Sequence, residues 1–358
     1  MQSTSAFLEG KENVYFAALN TSCGFLSFFG EVFDPHKIDH TAIIKGGPGT
    51  GKSTMLKALG LQAESQGYGV EYYLCSSDPA SLDGVRLTNG TFAALDGTAP
   101  HAVEPKCAGV LQSLFDAGAF WDRTLLQNSR EDILKLNEEK SAHYRRAYRL
   151  LQIAGEVTEE IGSLALESLL EDKLSRAATR QVTNLLESFE QGAPLHRQVS
   201  AFGADGVFHL PTFFRRARTV VRVTPLYNLG QVYLNSVRET LDLRGIFYHY
   251  SLDYLCPSSL SSIYLPQDRI LFYLGEEDIF RPADVVVNTK RFVKRDDLHM
   301  HRTRLRFLAR LKEEFLLQSA DSFENAKISH RKLESIYTKA MDFPRLSEAW
   351  SEYYGNYL

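Results

Sequence analysis

The chain has 358 residues, of which 44% are hydrophobic and 23% charged, values typical of a folded protein with more than one core. Its formal net charge of −4 does not support nucleic-acid binding, which needs a basic surface. No apolar run approaches the roughly 20 residues that span a bilayer, and Met1–Ser5 lacks the basic start of a signal peptide. We therefore expect a cytoplasmic protein without a membrane span.

The first 125 residues predict a doubly wound α/β domain with a parallel sheet. Residues 13–40 suggest a strand, a turn and a short helix, and Thr41–Ile44 has the continuous apolar character of a buried parallel strand. A glycine-rich loop and an amphipathic helix that Gly67 would end come next. Val70–Leu74 and Phe92–Asp96 predict two further strands. Strands that alternate with helices in this way indicate flanking helices around one sheet.

Residues 126–195 differ in character, because glycine is sparse and apolar residues recur at helical spacing. A break is expected near Gly155–Gly162. This segment predicts two or three long helices, arranged as an antiparallel hairpin inserted after the first domain. Its charged outer positions are most simply a solvent-exposed face.

The second half of the chain resembles the first. A shift of 178 residues places Thr41–Leu87 on Thr219–Leu265 with nine identities in 47 positions. Those identities fall on the same helix end, strand and strand-end loop, and Ile270–Leu274 lies where the strand after them is expected. We predict a second, P-loop-like α/β domain over residues 196–300 and a helical segment over residues 301–358.

The glycine-rich loop after the first buried strand matches the phosphate-binding pattern G-x-x-x-x-G-K-[ST]. Its glycines let successive backbone N–H groups turn towards one anion, and the following helix directs its N-terminus at the same place. Lysine neutralises the β- and γ-phosphates, the serine hydroxyl coordinates Mg²⁺, and the next threonine lies near the α-phosphate. The predicted ATP- and Mg²⁺-binding residues are Gly46, Gly47, Pro48, Gly49, Thr50, Gly51, Lys52, Ser53 and Thr54.

Carboxylates at the ends of the neighbouring strands are candidates for the remaining chemistry, together with Lys52. Asp96 ends a predicted strand and is the expected second Mg²⁺ ligand, although an Asp-Gly turn is the alternative. Asp78 is a candidate base that orients a water or a hydroxyl, with an ordinary turn or a helix cap as the equal alternative. Asp83 is a weaker candidate in the same loop, and His101 is interpreted as a loop histidine.

The corresponding loop of the second half has lost these features. Thr224 replaces Gly46, Gly230 replaces Lys52 and Gln231 replaces Ser53, so this loop is not expected to bind nucleotide in the same way. The second domain then either supports the first or supplies an arginine to its site. The candidate arginines are Arg215, Arg216 and Arg218, for which a surface basic cluster is the simpler interpretation.

Several motifs resemble those of an uncharacterised bacterial family of tandem P-loop ATPases, and the resemblance covers most of the chain. It rests on the loop itself and on the motifs Cys75-Ser76-Ser77-Asp78-Pro79, Asp96-Gly97-Thr98-Ala99-Pro100-His101, Phe120-Trp121-Asp122 and Ala340-Met341-Asp342-Phe343. The resemblance implies two P-loop NTPase-like halves around a helical insertion. Here the second P-loop is degenerate.

Three functions fit these observations. The first is Mg²⁺-dependent ATP hydrolysis coupled to a conformational change that acts on an unidentified protein or small molecule. The second is a kinase that transfers the γ-phosphate to a small molecule or a nucleotide. The third is a nucleotide-dependent switch with little turnover, which the absence of a glutamate after Asp96 favours.

Overall fold

The computed structural model of the protein describes residue 7 and residues 10–358, so the prediction made from Met1–Ser5 lies outside the described residues. Within this part, two six-stranded sheets with flanking helices form an α/β fold. The first half contains β1 (Val14–Phe16), β2 (Ala18–Thr21), β3 (Gly24–Ser27), α1 (Phe29–Val32), β4 (His40–Lys45), α2 (Lys52–Ser65), β5 (Val70–Leu74), β6 (Leu82–Leu87), β7 (Phe92–Asp96), β8 (Gln112–Asp116), α3 (Arg123–Asn128), α4 (Arg130–Leu166) and α5 (Glu171–Leu185).

The second half repeats this order of elements. It contains β9 (Leu195–His196), β10 (Ser200–Gly203), β11 (Gly206–His209), α6 (Thr212–Arg216), β12 (Thr219–Val223), α7 (Leu229–Leu243), β13 (His249–Leu252), β14 (Leu260–Leu265), β15 (Ile270–Leu274), β16 (Val285–Val287), α8 (Arg295–Met300), α9 (Arg302–Lys339) and α10 (Phe343–Gly355). Short 3₁₀ turns occupy Ala117–Phe120, Leu226–Asn228 and Thr289–Phe292.

The two sheets have the same strand order. The first runs β1-β5-β6-β7-β4-β8 and the second, read from its β9 edge, runs β9-β13-β14-β15-β12-β16. The parallel sheets expected from the sequence are in fact mixed, because β6 and β14 run antiparallel to both of their neighbours. The connections on either side of these strands are too short for the crossover that parallel neighbours need. The remaining pairs, including β4 with β7 and β8, are parallel as expected.

The long helices α4 and α9 pack against each other along their length in opposite directions. Ala147 of α4 lies beside Ser319 of α9, whose hydroxyl donates to the Ala147 carbonyl at 2.9 Å. Towards one end, Ile161 and Leu164 of α4 form a buried cluster with Leu305 of α9. The sequence predicted that the helices of residues 126–195 pack on each other as a hairpin. This prediction is wrong, because the apolar face of α4 is buried against α9 instead of α5.

The shorter helices α5 and α10 each pack on the opposite half of the molecule. Leu174, Ala178 and Val182 of α5 lie in the buried core beside α7. On the other side, Trp350 of α10 donates its indole N–H to the Met55 carbonyl of α2 at 2.9 Å. Each half therefore contributes one helix to the core of the other.

The break predicted near Gly155–Gly162 is also wrong, since α4 runs without interruption to Leu166. Both glycines lie where α4 approaches other elements closely. A side chain on Gly155 would collide with Ser22, and one on Gly162 would lie 3.2 Å from the Asn228 side chain. A larger residue would therefore displace Ser22 at position 155 and crowd the Asn228 side chain at position 162.

Candidate functional site

The glycine-rich loop connects β4 to α2 and adopts left-handed backbone angles that favour glycine. Gly49 has a φ of 70° and Gly51, which caps the N-terminus of α2, has a φ of 82°. A Cβ on Gly49 would also lie 2.5 Å from the backbone oxygen of Glu334 in α9. Thr50 is buried, and its hydroxyl donates to the Gly47 carbonyl at 2.9 Å, which stabilises this conformation.

Lys52 is the first residue of α2, and its side chain folds back over the loop. Its Nζ donates to the carbonyl oxygens of Gly46 at 3.0 Å and Gly47 at 2.8 Å. The same Nζ lies 3.6 Å from Oδ2 of Asp96, and both side chains are largely buried. The ammonium group, the N-terminus of α2 and the loop backbone thus face one region, which is a suitable arrangement for binding an anion.

Asp96 is at the carboxyl end of β7, directly beside Ile44 of β4. Its Oδ1 accepts from the backbone N–H of Thr98 at 2.9 Å and from the Thr98 hydroxyl at 2.6 Å, which is the turn geometry named as the alternative. Its Oδ2 remains directed at Lys52. The Asp96 carboxylate therefore forms the turn and faces Lys52 at the same time, since each contact uses a different oxygen.

Ser53 and Thr54 occupy the first turn of α2. The Ser53 hydroxyl oxygen accepts from the backbone N–H of Leu82 at 2.9 Å, which connects the loop to the start of β6. Thr54 is exposed. Of the two hydroxyls, that of Ser53 contacts β6, the strand that pairs with the Asp96-bearing strand β7, and it retains a lone pair for a further contact.

Asp83 is closer to the site than its sequence context suggested. It is buried at the start of β6, next to Gly84, which pairs with Leu95 of β7. Burial and the nearby charge of Asp96 raise the pKa of the Asp83 carboxyl well above its usual range. The sequence placed this residue in a loop because β6 was not predicted, since Asp83 and Arg86 interrupt its apolar residues.

Asp78 and His101 have other partners. Oδ1 of Asp78 lies 3.0 Å from Nζ of Lys327 in α9 and 3.4 Å from the backbone nitrogen of Ala80, which donates to it in a turn. His101 is buried and stacks on Phe29 with ring centroids 4.4 Å apart. Burial lowers the pKa of His101, so the residue interpreted from the sequence as a loop histidine is in fact buried among aromatic rings.

The helices α4 and α9 cover the edge of the first sheet at which the loop lies. Side chains of α9 that recur every three or four residues are directed at this edge. The α9 residues are Lys327, His330, Glu334, Tyr337 and Thr338. None of these was identified from the sequence, because the spacing predicts an amphipathic helix without indicating what its faces contact.

Aromatic side chains close the loop from the outside. A Cβ on Gly47 would lie 3.2 Å from the Tyr337 ring and 3.3 Å from the Trp121 ring. The Trp121 and Tyr337 rings are 5.5 Å apart. A Cβ on Gly51 would lie 3.3 Å from the Phe343 ring of α10. The loop is thus held between its own half and helices from the second half.

The corresponding loop of the second half keeps a left-handed backbone without glycine. Tyr227 has a φ of 49° and Asn228 a φ of 64°, conformations that are uncommon for these residues, above all for tyrosine. The Asn228 side chain donates to the Thr158 carbonyl of α4 at 2.8 Å. With Gly230 in place of the lysine, this loop contacts α4 through neutral groups.

The three arginines considered as donors to the site lie elsewhere. Arg215 donates to the Lys11 carbonyl at 2.9 Å, and Arg218 pairs with Glu187 at 3.1 Å. Arg216 contacts the Asn13 side chain. These contacts place all three near the N-terminal segment and the second sheet, in agreement with a basic cluster outside the glycine-rich loop.

Comparisons with known proteins add no assignment, since no protein-family model, curated protein or solved structure matches the chain. Across the described residues, no helix combines the length and the apolar character needed to cross a membrane. The same residues contain no group of three or more His, Cys, Asp or Glu side chains arranged to hold a metal ion.

Proposed function

We propose that residues Gly46–Ser53 form a P-loop that binds the phosphates of ATP together with Mg²⁺. The observation that carries this proposal is the position of the Lys52 ammonium over the loop carbonyls, 3.6 Å from Asp96 and at the N-terminus of α2. The backbone N–H groups of the loop then bind the β-phosphate, and Lys52 neutralises the β- and γ-phosphates. Thr54 is in the first turn, near the expected α-phosphate.

The residues around Lys52 suit a magnesium ion. Mg²⁺ is commonly held by one or two protein oxygens together with phosphate oxygens and waters, so a large cluster of acidic residues is unnecessary. The Ser53 hydroxyl and the Oδ2 atom of Asp96 are hard oxygen ligands on neighbouring elements. When bound, the ion would neutralise charge on the β- and γ-phosphates, while Ser53 and Asp96 would orient it.

We further propose that the protein hydrolyses ATP slowly and couples this reaction to movement of α4 and α9. Lys327 and Glu334 of α9 contact Asp78 and the loop, so a change at the phosphates acts directly on this helix. Asp78 and Asp83 are the carboxylates available to orient water, and Asp78 would first have to leave Lys327. A nucleotide-dependent switch is the second candidate, because the same contacts respond to binding alone. The repeated fold with one degenerate loop also agrees with a tandem P-loop protein.

Calorimetry with MgATP tests the binding step. Lys52→Ala should abolish binding, because it removes the cation beside the phosphates, whereas Arg218→Ala should leave binding unchanged as a surface control. Unchanged ATP affinity in Lys52→Ala would refute the phosphate assignment. Phosphorus NMR of the protein with MgATP, alone and with a metabolite mixture, then separates the reactions. Free phosphate indicates hydrolysis, a new phosphoester indicates a kinase, and unchanged ATP indicates a switch.

A further inference from the structure

An open cavity of about 670 Å³ lies between the segment before β1, helix α6 and the turn that joins β14 to β15. It shares no lining residue with the glycine-rich loop. Although the chain has a net charge of −4, most of the charged side chains in this lining are cationic. The charged lining residues are Lys11, Glu12, Arg215, Arg216 and Arg269. A cavity of this composition favours an anionic ligand.

Hydrogen bonds to neutral oxygens position two of these arginines. Nε of Arg269 donates to the Arg216 carbonyl at 2.8 Å. The Nη groups of Arg216 donate to the Asn13 side chain and, at 3.5 Å, to the Tyr15 hydroxyl. Nε of Arg216 and both Nη groups of Arg269 then have no acceptor in the described part of the chain. Both side chains therefore line the cavity with N–H groups that remain available to a ligand.

The carboxylates of the lining do not neutralise these two guanidinium groups. Neither Arg216 nor Arg269 forms an ion pair with a described residue. Lys11 is paired with Glu64. Glu12 is exposed at the cavity, and within the described residues its carboxylate forms no ion pair. Two guanidinium groups are thus set against one exposed carboxylate.

The carboxylates beside the cavity have other partners. Asp268 precedes Arg269 in the turn, but its Oδ1 accepts from the backbone N–H groups of Glu187 at 3.3 Å and Ser188 at 3.0 Å. Its Oδ2 is buried and forms no hydrogen bond. The Glu187 carboxylate pairs with Arg218 at 3.1 Å. Neither carboxylate therefore contacts the arginines that line the cavity.

The first half has a glycine at the position that corresponds to Arg269. The Gly90 carbonyl accepts from the Asp39 N–H at 2.8 Å before β4, and the Arg269 carbonyl accepts from the Arg218 N–H at 2.6 Å before β12. Both residues have left-handed backbone angles, with a φ of 79° at Gly90 and 56° at Arg269. Such an angle favours glycine, so the turn itself does not require an arginine. The second half thus places a long cationic side chain where the backbone prefers none.

We propose that this cavity binds a phosphorylated small molecule through its phosphate group. A tetrahedral phosphate directs three oxygens differently, so it can accept from Arg216 and Arg269, which belong to separate elements. A carboxylate has two coplanar oxygens, which match the fork of a single arginine. A phosphate monoester carries about −1.5 to −2 charges at neutral pH, enough to balance both guanidinium groups. The cavity is large enough for the rest of a small molecule.

The test is calorimetric titration of the full-length Lys52→Ala protein with phenyl phosphate at low ionic strength. Without Lys52, the glycine-rich loop lacks the lysine expected to bind phosphate, so the titration reports on the cavity. Arg269→Gly should weaken binding by about tenfold or more, because it removes one guanidinium group and restores the residue that the backbone angle favours. Arg216→Met should have a similar effect. Arg218→Met, which removes an arginine outside the lining, should leave the affinity unchanged.

The ligand class is tested with benzoate, which carries a carboxylate on the same ring and should bind at least severalfold more weakly. Equal affinities for the two probes would refute the assignment to phosphate. No binding of phenyl phosphate, or equal losses in Arg269→Gly and Arg218→Met, would overturn the proposed site. Thermal unfolding should show that Arg269→Gly is at least as stable as its parent, so a lost affinity does not reflect a lost fold. These outcomes do not depend on whether the glycine-rich loop binds ATP.

Discussion

Gly49→Ala tests whether α9 holds the glycine-rich loop in the conformation described above. The backbone of Gly49 has a φ of 70°, and an L-residue at such an angle costs about 1–2 kcal/mol. The added Cβ would lie 2.5 Å from the Glu334 backbone oxygen and 2.9 Å from the Thr338 hydroxyl oxygen. Because the nearest atom belongs to a helix backbone, it does not move without shifting α9. We therefore expect a total loss of about 2–4 kcal/mol in the free energy of unfolding.

Gly67→Ala is the matched control for this experiment. Gly67 has a φ of 87°, but a Cβ there would meet nothing within 4 Å. The Gly67→Ala variant should lose only the backbone contribution to the free energy of unfolding, about 1–2 kcal/mol, when unfolding is followed by circular dichroism in urea. The excess loss in Gly49→Ala measures the contact with α9. If the two variants are destabilised equally, α9 does not pack on the loop as described and the coupling argument fails.

Three further outcomes are expected. Asp96→Asn should weaken the Mg²⁺ dependence of ATP binding at least severalfold by calorimetry, and normal Mg²⁺ dependence would refute its role as a ligand. His196 is buried and its pKa is lowered to about 4, so the unfolded chain takes up a proton between pH 6.5 and pH 4 that the folded protein does not. The free energy of unfolding should therefore fall by up to about 3 kcal/mol as the pH drops through this window. His196→Gln should reduce this pH dependence when unfolding is followed in urea titrations at several pH values. An unchanged pH dependence would contradict this prediction. Trp350→Ala should cost about 3–5 kcal/mol because it empties a buried site and removes the hydrogen bond to Met55. A loss below about 1 kcal/mol would show that α10 does not dock on α2.

The strands predicted best were short, mostly apolar segments. Val70–Leu74, Phe92–Asp96 and Ile270–Leu274 form β5, β7 and β15 with the predicted limits. Such runs are buried on both faces, and polar residues mark their ends, so local sequence is sufficient to place them. In contrast, β6 contains Asp83 and Arg86 within its six residues and gives neither an apolar run nor a clear alternation.

Long-range contacts were beyond what the sequence pattern specifies. The periodicity of α4 predicts an apolar face, but it does not indicate whether α5 or α9 covers that face, since both helices are amphipathic. For the same reason, the sequence does not reveal that Lys327 and Glu334 of α9 lie at the candidate site. The loop residues Gly46–Ser53 could be proposed from the sequence because their spacing and their context of strand and helix are local, whereas the groups that surround them come from distant positions in the chain.

The packing of α10 on the first half has a consequence for how the chain folds during synthesis. Leu346 and Trp350 complete the core around α2, yet they are synthesised long after the rest of that half. The first half therefore has part of its apolar surface uncovered until α10 is made, while α5 is made before the sheet on which it packs. An order of this kind favours folding in one late cooperative step and makes the nascent first half a substrate for chaperones.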